Sequence, residues 1–330
     1  MLSTRILVWI GLVSYGLYLW HVPVFSLFKV YSRDNVSLLV YVFLIVLSFG
    51  LAAVSYYYVE KPFRSEQKVS RKVFLGLTTC SLCFLVAFGL LAHKTNGFPL
   101  RVFDSEEQFS VNTHEVKVKP LKEFVDRLPW GFSDNKVKAL LIGDSYAADV
   151  AFMTYFLYGS DKLSIKLWRE DACSASERIR SHVADVLPDV IGVAFDEGHE
   201  LQCASKFISF AEDFGVQIFF FGTKHFGDNL NWVSRLPFND RKSLCQRPNR
   251  EFAEIDQRDR NSLPQANYIS IMDWVRSESC VFITTPEGNL ISSDRKHLTV
   301  AGVEFLSEVG MRSSAYGYAI QKALDGRFLD

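Results

Sequence analysis

Three long stretches near the amino terminus carry no charged side chain: residues 6–28, 37–59 and 73–92. A helix needs about 20 such residues to cross a hydrocarbon layer roughly 30 Å thick. A core helix of a soluble domain rarely reads apolar on every face for that length, so all three are expected to be membrane spans. The first carries Gly11, Gly16 and Pro23, which favour a bend. A cleaved leader fits that stretch less well. It is long for one, it lacks a small-x-small cleavage site, and two more spans follow it.

The flanking charges suggest an orientation. Between the second and third spans lie Lys61, Arg64, Lys68, Arg71 and Lys72, against Glu60 and Glu66. That loop is expected on the cytoplasmic side. The 29–36 loop, with Lys29, Arg33 and Asp34, is then outside and Arg5 inside. Three spans place everything after about His93 outside, which in a Gram-negative cell is the periplasm. The expected location is therefore the inner membrane, with a periplasmic carboxyl-terminal domain. Whole-chain figures fit a membrane segment joined to a soluble one. The chain is 330 residues long, 48% apolar and 22% charged, with a mean hydropathy of +0.08. A net charge of −1 gives no basic field, so no nucleic-acid partner is expected.

Residues 96–134 are polar, contain Pro99, Pro120 and Pro129, and read as a linker. Beyond them strands and helices alternate. Short apolar strands are expected at 139–142, 163–168, 189–195, 216–221 and 268–271, with helices at 146–158, 200–214 and 300–324. Alternation of this kind predicts an α/β fold with helices on both faces of a parallel sheet. Continuously apolar strands agree with burial on both sides.

Six cysteines divide by location. Cys80 and Cys83 lie in the third span, where packing is a better reading than a redox or zinc motif. Cys173, Cys203, Cys245 and Cys280 lie in the exported part, where two disulfides are expected. Three pairings are open; Cys173–Cys203 with Cys245–Cys280 is the one expected. No Cys/His cluster has zinc spacing, so no metal is expected.

Two short motifs carry chemistry. Gly143-Asp144-Ser145 directly follows the first soluble strand. This puts a hydroxyl at the carboxyl end of a parallel strand, where α/β sheets bind ligands, and at a helix amino terminus, whose N–H groups suit a developing oxyanion. Serine needs a base to become a nucleophile. Asp294-Arg295-Lys296-His297, just before the last helix, supplies one: aspartate and histidine three apart can face one side of a turn. Asp144 also reads as a helix cap. Gly222-Thr223-Lys224-His225, after the fourth strand, is a lesser candidate for substrate contact, with an ordinary loop the favoured reading.

A Gly-Asp-Ser block after the first strand and an Asp-x-x-His block before the last helix resemble the SGNH/GDSL hydrolase superfamily, over residues 138–324. The resemblance implies a flavodoxin-like three-layer sheet and a catalytic triad of Ser145, His297 and Asp294. Gly143, Asp144 and Thr223 are lesser candidates for oxyanion or substrate contact. The family's other oxyanion donors, a Gly after the second strand and an Asn after the third, have no match in Arg169-Glu170-Asp171-Ala172-Cys173 or in Phe195-Asp196-Glu197-Gly198.

The front resembles a second family. The run from Ile10 to Trp20-His21-Val22-Pro23, with Tyr58-Val59-Glu60-Lys61-Pro62-Phe63-Arg64 after the second span, is similar to the closing segments of the acyltransferase-3 membrane O-acyltransferases. Some members of that family carry one extra span and a periplasmic SGNH domain. Residues 1–64 then correspond to the last two bundle spans, 65–95 to a linking span, 96–137 to a periplasmic linker and 138–330 to the SGNH domain. His21 would lie in lipid or between helices.

The implied activity is O-acetyl transfer to a surface polysaccharide or lipid-linked glycan, such as O-antigen or lipooligosaccharide. No bound cofactor is expected. An acyl donor of the acetyl-CoA type would be handled by the earlier spans, carried on a separate chain, unless this reading frame is a fragment. The alternatives are a periplasmic carbohydrate O-acetylesterase and a catalytically idle glycan-binding module that partners a membrane acyltransferase.

Overall fold

The computed structural model describes residues 4–32, 37–64, 69–95, 97–98, 135–159, 161–169, 173, 176–195, 203–264, 267–277 and 279–328. Apart from 97–98, the expected linker at 96–134 lies outside these residues, as do the segments at 170–172 and 196–202. The chain divides into two compact units, one holding the amino-terminal helices and one the α/β layers.

The first unit contains three helices long and apolar enough to span a membrane. Helix α1 (Arg5–Tyr31) runs unbroken through Pro23. Helix α2 (Leu38–Ser55) continues through a π turn (Tyr56–Glu60) to Phe63. Helix α3 (Arg71–Lys94) is capped by the Ser70 side chain, which accepts from the Val73 N–H. Helices α1 and α2 meet along a seam of Val13, Gly16, Leu44, Ser48 and Ala52, all buried. A Cβ at position 16 would come within 3.2 Å of the Ala52 carbonyl oxygen, so the glycine lets the backbones approach. His21 borders a groove of about 410 Å³ beside this seam, and its Nδ1 contacts the Leu17 carbonyl at 3.2 Å.

The second unit is built on strands β1 (Val137–Gly143), β2 (Leu163–Trp168), β3 (Val190–Ala194), β4 (Gln217–Phe221) and β6 (Tyr268–Ile269). All neighbours pair in parallel, in the order β2-β1-β3-β4-β6. Side chains alternate across the sheet. Leu140, Ile142, Ile191, Val193, Ile218 and Phe220 join one core with helices α5 (Ser176–Val186) and α6 (Ala204–Phe214). On the other face Phe219 and Phe221 pack edge-on against Tyr316, with ring centroids 5.9 and 5.2 Å away. Gly192 leaves room for the Leu141 side chain, whose Cδ2 a Cβ there would meet at 2.5 Å.

This second face is covered by α4 (Ser145–Tyr158), α8 (Val300–Leu306) and α9 (Ala315–Phe328). Helix α4 is buried at every position from Tyr146 to Tyr155, which accounts for its nearly all-apolar sequence. The result is the expected α/β sandwich of three layers.

Four features depart from the sequence reading. Helix α5, between β2 and β3, was not expected. The single helix expected at 300–324 is interrupted by a π turn (Ser307–Met311). There Gly310 passes so close to the Trp274 ring that a Cβ would overlap it, and α9 then restarts where Ser314 Oγ accepts from the Gly317 N–H at 3.0 Å. A polar helix, α7 (Arg250–Ser262), was not expected. Nor was a small antiparallel pair, β5 (Cys245–Gln246) with β7 (Val281–Phe282). Disulfides join Cys173 to Cys203 and Cys245 to Cys280, the expected pairing, while Cys80 and Cys83 are unbridged in α3.

Candidate active site

Strand β1 has β2 on one side and β3 on the other, so the chain reverses its direction of sheet growth there. Crevices at the carboxyl ends of strands next to such a reversal are where open α/β sheets bind ligands. Gly143 ends β1 with φ +150, and a Cβ there would overlap the Ala194 carbonyl oxygen of β3. Glycine is thus required for β1 to turn sharply into α4. Asp144 caps the helix, its Oδ1 accepting from the Tyr146 N–H at 2.8 Å. Ser145 is the first helical residue.

The Asp-x-x-His turn reaches the same place from the far end of the sequence. His297 Nε2 lies 3.0 Å from Ser145 Oγ. Its Nδ1 lies 2.6 Å from Asp294 Oδ2. Asp294 Oδ1 accepts from the backbone N–H groups of His297 at 2.9 Å and Lys296 at 3.1 Å, so the carboxylate shapes the turn that carries its own histidine. Arg295 sits at φ +95 within it, and its carbonyl accepts from the Phe226 N–H at 2.8 Å. Ser292 Oγ donates to the His297 carbonyl at 2.8 Å.

Burial pushes the Asp294 carboxyl up, but the hydrogen bonds from His297 and Lys296 outweigh it and hold the group below the usual carboxylate range. Asp294 is therefore an anion at neutral pH. The side chains of His297 and Asp294 remain 34% and 53% exposed, so the pair opens to solvent.

The structure thus brings Ser145, His297 and Asp294 together. The lesser candidates take other parts. Gly143 and Asp144 shape and cap the turn. Thr223 is buried, and the segment around it is neither a substrate-facing loop nor an ordinary surface loop. Lys224, His225 and Phe226 are drawn inward with it.

What the sequence reading missed is beneath the serine. Asp149, one turn along α4, pairs with Lys224 at 2.9 Å, with both side chains essentially inaccessible. The signal was a lone carboxylate in an otherwise apolar helix. The segments expected to lack the family's other oxyanion donors, 170–172 and 196–198, lie outside the described residues.

Chemically, this is a serine poised against an imidazole that a carboxylate orients, at a helix amino terminus whose N–H groups favour negative charge. These are the contacts that acyl transfer through a serine ester requires.

No protein-family model matches the chain. A protein of Staphylococcus aureus (strain MRSA252) named "Putative O-acetyltransferase SAR0937" is 30% identical over 171 residues, 45% of this chain and 28% of the relative. "Putative peptidoglycan O-acetyltransferase YrhL" of Bacillus subtilis (strain 168) is 40% identical over 78 residues, 23% of this chain and 12% of the relative. The chain therefore covers less than a third of the length of these curated relatives. Among solved structures, a "putative acylhydrolase" from Bacteroides fragilis NCTC 9343 aligns over 63% of this chain and 97% of its own, at 14% identity and a TM-score of 0.35. A "putative platelet activating factor" from Streptococcus pneumonia aligns over 62% and 93%, at 18% identity and a TM-score of 0.36.

Proposed function

We propose that the protein transfers an acyl group, acetyl in the first instance, to a hydroxyl of a cell-surface glycan, and that Ser145, His297 and Asp294 carry the reaction. The observation that carries this reading is the continuous relay from Asp294 Oδ2 through the His297 ring to Ser145 Oγ, at 2.6 and 3.0 Å. The names of the partial relatives support acyl transfer as the class of reaction.

In this mechanism His297 Nε2 takes the Ser145 proton as Oγ attacks the acyl carbonyl. The amino terminus of α4, with the Ser145 N–H, stabilises the oxyanion. Asp294 holds the ring and offsets its transient positive charge. The leaving group departs with the proton held by His297, which leaves an acyl ester on Ser145. His297 then deprotonates the acceptor hydroxyl, which attacks the ester and regenerates the serine.

The charge pattern of the loops supports an orientation in which the α/β unit lies outside the cytoplasmic membrane, facing a surface polysaccharide or lipid-linked glycan. The acyl donor, of the acetyl-CoA type, would be handled by further membrane spans on a separate chain. A second reading, carbohydrate O-acetylesterase, uses the same residues. The exposure of His297 and Asp294 favours it, because water reaches the relay.

The test is turnover of an aryl acetate by the full chain in detergent. Ser145→Ala and His297→Ala should each abolish it, with a radiolabelled acetyl group trapped on Ser145 only when serine and histidine are both present. Activity that survives Ser145→Ala excludes the nucleophile assignment.

A further inference from the structure

A buried ion pair beneath an exposed catalytic relay needs a reason. Charges taken out of water lose hydration, and an apolar pair of the same volume often serves stability as well or better. Asp149 and Lys224 are 1% and 0% exposed, and they meet at 2.9 Å. Asp149 also does something an apolar residue could not. Its Oδ2 accepts from the Leu298 N–H at 3.3 Å. That N–H belongs to the peptide that leaves His297.

The other side of the same peptide is held as well: the His297 carbonyl accepts from Ser292 Oγ at 2.8 Å and from the Ser293 N–H at 3.2 Å. Asp149 lies on α4 one turn beyond Ser145. One rigid helix therefore presents the nucleophile and also fixes the backbone of the base.

Lys224 completes the arrangement. Its Nζ sits over the Tyr146 ring, 3.3 Å from the centroid, and its backbone carbonyl accepts from the Tyr146 hydroxyl at 2.9 Å. The lysine thus neutralises Asp149 and ties the segment after β4 to the first turn of α4. Two residues further on, Phe226 N–H binds the Arg295 carbonyl at 2.8 Å. The 222–226 segment therefore touches both the nucleophile's helix and the histidine's turn.

We infer that the buried Asp149–Lys224 pair is a positioning element that sets the distance between His297 and Ser145, with Asp149 acting through the Leu298 N–H and Lys224 holding the Asp149 side chain in place. The inference rests on the proposed Ser145–His297 relay.

The test compares two double variants of the full chain that both lack the buried charges. D149N/K224M keeps a side-chain oxygen for the Leu298 N–H; D149L/K224M, of similar volume, has none. After their melting temperatures are matched, each is assayed for kcat and KM with an aryl acetate and for the rate of Ser145 labelling by a fluorophosphonate. His297→Ala is run beside them. The expected result is a kcat and a labelling rate at least tenfold lower in D149L/K224M than in D149N/K224M, with KM within twofold. A purely structural pair predicts equal rates once folding is matched, and that result overturns the inference while leaving the relay intact, because His297→Ala is still inactive. Unchanged labelling in His297→Ala overturns the relay and the inference with it. If D149L/K224M does not fold, Asp149→Glu keeps the charge for Lys224 but displaces the carboxylate by one methylene. It should lower kcat several-fold at constant KM, and wild-type kcat in that variant overturns the inference.

Discussion

Replacing Gly143 by alanine should damage both stability and turnover, and the size of the effect can be worked from local geometry. Position 143 has φ +150, a region essentially reserved for glycine, which costs an L-residue about 1–3 kcal/mol. The added Cβ would overlap the Ala194 carbonyl oxygen and approach Ala147 Cβ to 2.9 Å. Relieving such crowding in a packed interior costs roughly another 1–3 kcal/mol. Together these give about 2–6 kcal/mol, a large share of the ~5–15 kcal/mol that holds a typical domain folded. Gly159 provides the control. It also has positive φ, at +73, but nothing lies within 4 Å of its missing Cβ. Gly159→Ala should cost only the backbone term, about 1–3 kcal/mol. Melting of the full chain in detergent, followed by intrinsic fluorescence, should rank wild type above Gly159→Ala above Gly143→Ala. At about 2–4 °C per kcal/mol for a domain of this size, the two variants should differ by several degrees. Gly143→Ala should also lose turnover per folded molecule, because Ser145 moves with the turn, whereas Gly159→Ala should not. Equal melting temperatures for the two variants would refute the crowding argument.

Other outcomes follow from the same contacts. Asp294→Asn should lose turnover by roughly tenfold or more less than Ser145→Ala, and the Ser145→Ala/His297→Ala double variant should be no worse than either single, as rate measurements on aryl acetate would show. Thiol labelling of the unreduced protein should modify Cys80 and Cys83 alone, and reduction should lower stability by about 2–4 kcal/mol per disulfide. Lys166, 8% exposed on β2, is pulled by burial from 10.5 down to about 8. Between those values the unfolded chain holds a proton that the folded chain does not, so stability should rise with pH across that window, by at most about 3 kcal/mol, and Lys166→Met should abolish the rise in urea melts. Reporters active only outside the cytoplasm should work when fused after Asp104 and fail after Ser70; the reverse would overturn the orientation.

Much of the sheet was legible because its strands are buried on both faces. The stretch 139–142 falls within β1, since a short continuous apolar run between polar breaks has no other comfortable place. Helix α7 was not legible. Its sequence, with only Phe252, Ala253 and Ile255 apolar, lacks a helical stripe. It is held by tertiary hydrogen bonds instead: Asp256 Oδ1 accepts from the Tyr268 hydroxyl at 2.7 Å, and Asn249 caps its first turn. Strands β5 and β7 are two residues each, too short to show a period. At the site, Ser145, Asp294 and His297 were readable because their motifs are local. The Asp149–Lys224 pair was not, because its partners are far apart in sequence and only the folded chain joins them.

In the mechanism proposed above, the exposure of the relay bears on what the acyl-enzyme would do next. Asp294 and His297 are open to solvent at the edge of the sheet, so water and a sugar hydroxyl would reach the proposed ester through the same base. The described residues do not seclude the ester from water. Transfer can then exceed hydrolysis only if the acceptor is bound with its hydroxyl held at the ester, where orientation alone can contribute effective concentrations far above that of bulk water. The rigidity that α4 gives to Ser145 and, through Asp149, to the backbone of His297 contributes equally to both fates, because it acts on the base and the nucleophile and not on the acceptor. Selectivity for a glycan over water must therefore reside in acceptor-holding contacts outside the relay itself, and substitutions that weaken those contacts should convert transfer into hydrolysis without slowing formation of the ester on Ser145.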